Sequence, residues 1–417
     1  MAQVSPLQAV HYDLGKVALA EVVAPPYDVI DDAQRAELAA RSPYNVVQLD
    51  LPRDLNGGDP YEHAAELLRE WTGEGVLVGD SDPTMWGLEQ DYSAPDGSRL
   101  TRRGFLARVR LAPYGEGVRP HERTQPGPKE DRLRLTRATR HNLSPVFALY
   151  PGDAWRQLEP ALASDPWGEV TDVDGTTHRT WRIGDPAIHA AIATELARGE
   201  LLIADGHHRY ETSLTYQQEV GPGGPADYVL MALVSLEDPG LTVFPTHRLI
   251  AGLADDPARQ EKLGTGLRQL FEVEEVPTDQ LDPAGIEGVG VFGYVDSHFK
   301  RAYRLRLASN PALDQALAGR SEAYRTLDTA ILEELVLKGI LGMTTENIAA
   351  KRGIGYTPNI DEALAKLDAG EYQAAFLLRP TPVEQVREIA AAGETMPPKS
   401  TYFFPKMLTG IVFNPLA

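Results

Sequence analysis

Residues Ala204 to Thr212 read ADGHHRYET, and the fold is decided by what stands on either side of them. The apolar run Leu201-Leu202-Ile203-Ala204 has the length and composition of a short buried strand, and the turn dipeptide Asp205-Gly206 stops it. From Arg209 the chain has no glycine or proline until the breaker cluster Gly221-Pro222-Gly223-Gly224-Pro225, which predicts a helix over 209–220. The motif therefore sits where a strand turns into a helix.

The first N–H groups of a helix lack internal partners, and the helix dipole adds partial positive charge there, so such a junction attracts anions. Arg209 adds a fork suited to bidentate oxygen contacts. His207 and His208 add donors, and Asp205 adds a carboxylate. Together with Gly206 these are the parts of a phosphate site with a general base or metal ligand beside it. A tight turn with an Asp cap, two surface histidines and a solvated arginine would use the same residues. Adjacent histidines project in different directions, which argues against a metal shared between them.

The whole string resembles the signature of the ParB/sulfiredoxin-like superfamily. Sulfiredoxins carry a Gly-Cys-His-Arg-Tyr-Glu run entering a helix, where it binds nucleotide phosphates. Gly206, His208, Arg209, Tyr210 and Glu211 match it, with His207 in place of the cysteine. The chain has no cysteine, so thiolate chemistry and disulfides are excluded. The string is more similar to superfamily members with Asp-Gly-His-His-Arg, among them kinases of free serine, which place a carboxylate where Asp205 stands. Along nearly the full chain, APPYDVI (24–30), RPHERT (119–124), GPKEDR (127–132), IADGHHRYET (203–212), FPTHR (244–248) and MPPKSTYFFPK (396–406) follow in the order typical of the prokaryotic family called domain of unknown function 1015. That resemblance implies a ParB/sulfiredoxin-like core but no activity of its own.

At 417 residues, with 42% hydrophobic and 24% charged positions, the composition is that of an ordinary globular protein of two or three domains. No basic-then-apolar leader opens it, and no apolar run approaches the ~18 residues of a membrane span, so a cytoplasmic enzyme is the default expectation. The net charge of −20 opposes a long polyanion and argues against nucleic acid as a partner. Between Arg99 and Arg140, however, twelve Lys/Arg face four Asp/Glu, a local +8 against −28 for the remainder. A concentrated positive island of this kind suits a small polyphosphate.

The pattern along the chain predicts an α+β (mixed α/β) fold with three parts: an N-terminal α/β segment over 1–97, a ParB/sulfiredoxin-like phosphate- or nucleotide-binding core over 98–250, and a C-terminal α/β segment over 251–417. Strands are expected over 104–111, 145–150, 178–183, 201–204 and 228–236. Helices are expected over 31–41, 61–71, 129–141 and 186–198, and in the C-terminal part near 257–270, 326–338, 345–350 and 360–368.

Other candidate site residues come from the remaining strings. In RPHERT, Glu122 between His121 and Arg123 is a candidate base or magnesium ligand, with Thr124 beside it, unless it is only a surface salt bridge. In GPKEDR, Lys129 and Arg132 are candidate phosphate contacts, while Glu130 and Asp131 are explained by the helix dipole. Asn142, Ser144 and His247 are candidate substrate contacts with equally good structural readings, and Lys399 a candidate phosphate contact on an extended arm. No G-x-x-x-x-G-K-[ST] loop occurs. The superfamily resemblance implies phosphoryl transfer to the hydroxyl of a small molecule, with free serine the first choice of acceptor, ATP, ADP or pyrophosphate as donor, and magnesium. Asp205 and Glu122 would share the roles of base and metal ligand, and the basic island would clamp the donor. A ParB-like nucleotide switch and a phosphatase are the alternatives.

Overall fold

The computed structural model describes residues 1–54, 57–94, 97–124, 126–308 and 311–417. The fold is mixed α+β, and the chain clusters into two compact units. The first holds Met1–Pro120, Thr124–Leu241 and Pro405–Ala417; the second holds His121–Arg123 and Thr242–Phe404. These units do not follow the boundaries read from the sequence. Residue 97 falls between two strands that pair antiparallel, Met85–Ser93 and Arg99–Arg110, so the N-terminal segment and the expected core share one sheet.

In the first unit that sheet has nine strands: β1 (Val4–Ser5), β2 (Met85–Ser93), β3 (Arg99–Arg110), β4 (Val118–Arg119), β5 (Val146–Tyr150), β6 (Gly168–Thr171), β7 (Thr177–Ile183), β8 (Leu201–Asp205) and β9 (Tyr228–Ser235). Their order is β4-β8-β5-β9-β3-β2-β7-β6, with β1 added on β3. The strand β9 is buried at almost every position and lies parallel to β5 and antiparallel to β3, as its unbroken apolar run leads one to expect of a central strand. The longer helices of the unit are α1 (Asp32–Arg41), α2 (Pro60–Gly73), α3 (Pro126–Thr139), α4 (Pro186–Leu196) and α5 (His207–Val220). The first starts with a capping box in which Asp31 and Gln34 satisfy each other's backbone N–H groups. Phe105, Val109, Ile192, Ile203, Tyr210 and Met231 belong to one buried core, which fixes α5 against the sheet. Tyr210 also clamps the helix by polar contacts, its hydroxyl donating to Ala112 O at 2.7 Å and accepting from Ala112 N at 3.2 Å.

The second unit is built on an antiparallel six-stranded sheet. Its strands are β11 (His247–Ile250), β12 (Phe271–Val276), β13 (Val291–Asp296), β14 (Arg301–Leu307), β15 (Ile354–Thr357) and β16 (Ala374–Leu377), in the order β12-β14-β13-β16-β11-β15. A separate pair joins β10 (Thr242–Phe244) to β17 (Tyr402–Phe404), so the arm expected in MPPKSTYFFPK is in part a strand. The helix α6 (Pro257–Leu270) matches its expected bounds, whereas the helix expected over 326–338 is broken into a short α-turn and a π-helix over Leu332–Ile340. Among the described residues no helix is long and apolar enough to cross a membrane.

Candidate active site

The strand β8 ends in an irregularity. Ile203 pairs with Ala148 and Asp205 with Phe147, so two residues of one strand oppose one of the other, and this bulge re-aims the Asp205 side chain at the point where the strand stops. Gly206 follows with φ +89° and ψ 28°, a left-handed conformation that costs an L-residue energy, and α5 begins at the next residue. The expected strand–turn–helix is present, with the helix starting two residues early.

Arg209 folds back over this turn. Its Nη2 donates to Asp205 Oδ2 at 3.0 Å and its Nη1 to the carbonyl oxygen of Pro145. A Cβ placed on Gly206 would stand 2.9 Å from Arg209 Nε and 3.0 Å from its Cζ, so glycine is required here for space as well as for backbone angle. On the other side of the carboxylate, Lys406 Nζ is 3.8 Å from Asp205 Oδ1. Lys406 lies 201 positions further along the chain, and nothing in the local sequence announced it. It is held by a polar anchor: the fully buried Arg102 donates to the Pro405 carbonyl and to Gln90 Oε1, and Gln90 Nε2 donates to the Lys406 carbonyl at 3.1 Å. His207 is buried and His208 half-buried on the first turn of α5.

Behind Arg209 is a second set of charges that the sequence reading missed in part. Asp50 is buried, accepts from Arg132 Nη1 at 3.0 Å, and leaves its Oδ2 without a hydrogen bond. Arg209 Nε is likewise buried without a partner. Both residues line one cavity of about 30 Å³, together with Arg132, Asn142, Ser144 and Ser213. Burial lifts the Asp50 carboxyl above the usual carboxylate range, with Arg132 and then Arg209 opposing that shift. The Arg132 guanidinium stacks over the Tyr27 ring at 4.2 Å, and burial, then the Asp28 charge, push the Tyr27 phenol up to about 12. The APPYDVI turn therefore packs on Arg132, which lines the same cavity as Arg209.

The remaining expected site residues are placed as follows. Arg132, expected at a phosphate, is 5% exposed and bonded to Asp50 and Asp131. Lys129 Nζ and Thr124 Oγ1 both donate to Glu211 Oε2, at 2.9 and 2.7 Å, on α5. Asn142 is a buried bracket: its Oδ1 accepts from Leu230 N and from Asn414 Nδ2. Ser144 is buried on the cavity wall. Part of the basic island is paired. Arg103 pairs with Glu89, Arg119 with Glu200, Arg134 with Asp59 and Arg137 with Glu219, so four of its cations are answered by carboxylates outside the segment.

His121, Glu122, Arg123, His247 and Lys399 belong to the second unit. There His121 Nε2 lies 2.9 Å from Thr401 Oγ1, Arg123 Nε donates to Thr395 Oγ1 at 3.0 Å, and Glu122 bridges to Met396 through the backbone. Lys399 has φ +58° and its carbonyl accepts from the buried Arg248 at 3.0 Å. His247 is wholly buried in β11, its Nδ1 accepting from Leu378 N at 3.1 Å while Nε2 has no partner. That is the environment of a core residue rather than of a substrate contact. Asp205 and Glu122, expected to divide the roles of metal ligand and base, fall in different units. Among the described residues no group of three or more His, Asp or Glu is placed to hold a metal, and Asp205 already faces two cations. Among the described residues the carboxylates at this junction do not make a dedicated metal centre.

Fold and site together define a mixed α+β protein with a charged strand-to-helix junction near the edge of its larger sheet. The chain belongs to the family described as Protein of unknown function (DUF1015), whose profile matches residues 4–330. No curated protein matches it. Among solved structures it is similar to a conserved hypothetical protein from Pyrococcus furiosus, at 17% identity over 70% of this chain and 89% of that one, with a TM-score of 0.36. It is also similar to a mutant free serine kinase in complex with AMP, at 14% identity, 71% and 88% coverage and a TM-score of 0.37. A third is SbnI with a C-terminal truncation from Staphylococcus aureus, at 11% identity, 73% and 85% coverage and a TM-score of 0.38.

Proposed function

We propose that the chain is a small-molecule kinase that moves a phosphoryl group from ATP, ADP or pyrophosphate to a hydroxyl, and that free serine is the acceptor. The observation that carries this reading is the Asp205 carboxylate held between Arg209 at 3.0 Å and Lys406 at 3.8 Å at the N-terminus of a fourteen-residue helix. The choice of serine rests on the likeness of the Asp-Gly-His-His-Arg string to that of free serine kinases.

Phosphoryl transfer proceeds through a loose, anionic transition state, so the protein contributes position and positive potential more than covalent chemistry. The N–H groups that open α5, at His207 to Arg209, receive the transferring phosphoryl group. Its arrival offers Lys406 and the Arg209 fork new oxygen partners and leaves Asp205 less tightly held. The acceptor hydroxyl then attacks phosphorus as Asp205 takes its proton. The bond from phosphorus to the donor's bridging oxygen breaks, and that oxygen leaves with the electron pair.

The test is to incubate the full chain with serine, magnesium and each of ATP, ADP, CTP and pyrophosphate, reading phosphoserine by phosphorus NMR. Phosphoserine is expected with at least one donor, and Asp205→Asn is expected to slow it by roughly 10²–10⁴-fold, the usual contribution of a general base. A folded wild-type protein that makes no phosphoserine from any donor overturns the reading.

A further inference from the structure

We infer that the second unit carries a small-molecule site of its own, a pocket between α6 and the turn joining β13 to β14, built for a zwitterionic, ring-bearing ligand of the amino acid class. It is separate from the residues of the proposed phosphoryl transfer. The pocket encloses about 500 Å³, within the ~300–1,000 Å³ typical of sites for small organic ligands.

Three features of its wall point to a ligand. The first is an exposed aromatic surface. Phe299 is 56% exposed on the turn and meets His298 edge-on, with ring centroids 4.8 Å apart at 88°, which leaves a ring for another ring to pack against. The second is a pair of opposite charges not spent on each other. Arg268 donates to the Gly264 carbonyl of its own helix at 3.2 Å, and among the described residues neither Arg268 nor Glu261 makes an ion pair. Both line the pocket. Seven residues separate them, roughly 10 Å of helix, a span that two long side chains can close on a carboxylate and an ammonium group.

The third feature is a glycine the fold does not need. Gly264 sits inside α6, where glycine is the least favoured residue apart from proline. A Cβ there would meet only Arg268 Nη1, at 3.6 Å, an ordinary contact. Gly266, two positions on, shows what a required glycine looks like: its Cβ would stand 2.8 Å from Ile340. What Gly264 keeps open is the pocket wall.

The probe is L-phenylalanine, titrated into the full chain by calorimetry and by NMR, with 3-phenylpropionate and phenethylamine as the acid-only and amine-only analogues. Saturable binding of L-phenylalanine is expected. Each analogue and the Arg268→Ala variant should bind at least roughly tenfold more weakly, the loss of one charged contact. Gly264→Leu, which fills the wall while improving helix propensity, should abolish binding without lowering the unliganded Tm. Absence of saturable binding at millimolar concentrations overturns the proposal, as does unchanged binding in Arg268→Ala and Gly264→Leu. A lowered Tm in Gly264→Leu also overturns it, because the glycine would then be structural.

Discussion

Replacing Gly206 by alanine isolates the physical core of the proposed site. Two costs arise at that position. Backbone with φ +89° and ψ 28° is left-handed, and placing an L-residue there costs about 1–2 kcal/mol. The new Cβ would also stand 2.9–3.0 Å from the Arg209 guanidinium. The guanidinium has nowhere to yield without giving up Pro145 O or Asp205 Oδ2, and a hydrogen bond to a charged group is worth about 1.5–3 kcal/mol. Together the variant should lose about 2.5–5 kcal/mol in the unfolding of the first unit, measured by guanidinium chloride denaturation. Gly175→Ala is the control in the same unit. It shares the left-handed φ, +78°, but its Cβ would meet nothing within 4 Å, so it should lose only the backbone cost of about 1–2 kcal/mol. ATP and pyrophosphate binding, followed by calorimetry on protein that remains folded, should weaken in Gly206→Ala and be unchanged in Gly175→Ala. Equal losses in the two variants, with nucleotide binding intact in both, would refute the claim that Arg209 is held over this turn.

Other expectations concern charge. Burial, and then the Arg248 guanidinium, push the His247 imidazole from its ordinary 6.5 down to about 4. Above pH 6.5 the folded and unfolded rings are both neutral and the contribution to stability is complete. As the pH falls from 6.5 through 4, the unfolded chain takes up a proton that the folded one refuses, so stability declines by about 3 kcal/mol from this group. Denaturation curves of the second unit at pH 7 and pH 4.5 should therefore differ less in His247→Gln than in wild type, and identical differences would sink the assignment. Lys406→Ala should weaken pyrophosphate binding several-fold, and so should Arg102→Met, which frees the Pro405 carbonyl and the Gln90 amide that holds the Lys406 carbonyl. If calorimetry finds the second variant unaffected, the buried anchor does not position Lys406. The 30 Å³ cavity has room for about one water, and a high-resolution crystal structure should find one bridging Asp50 Oδ2 and Arg209 Nε; an empty cavity counts against it. Duplex DNA should bind weakly at all salt concentrations, whereas a log–log slope steeper than about −4, four or more phosphates contacted, would favour the nucleotide-switch alternative.

What the sequence revealed and what it concealed divide along the range of the interactions. The β8–turn–α5 junction depends on neighbours: a four-residue apolar run, one Asp-Gly and a stretch free of breakers, all within twenty positions. Its structure follows from local backbone preference, so it was legible. The same holds for β9, α4 and α6, whose patterns are strong enough to set bounds within a few residues. The strand β2 was missed because Gly87, Glu89, Gln90 and Asp91 interrupt any apolar alternation. Its place in the sheet is fixed from outside, by pairing with β3 on one side and β7 on the other.

The site itself mixes the two kinds of information. Asp205, Gly206 and Arg209 were visible because one turn brings them together, yet the sequence offered Arg209 only as a phosphate contact or a solvated arginine. In the structure it is 9% exposed, because its fork finds the Pro145 carbonyl as well as the carboxylate four residues back. Lys406, Asp50 and Tyr27 are invisible from the motif, since each arrives by tertiary folding from a distant string. The basic island illustrates the opposite failure. Counting charge along the chain measures an excess that the fold then reduces, because Glu89, Glu200, Glu219 and Asp59 lie outside the counted segment yet pair across strands and helices with its arginines. Exposed pairs of this kind are worth little in stability, but they decide which cations remain for a ligand. At the junction the N-terminus of α5, Arg209 and Lys406, 201 positions further along the chain, surround one carboxylate.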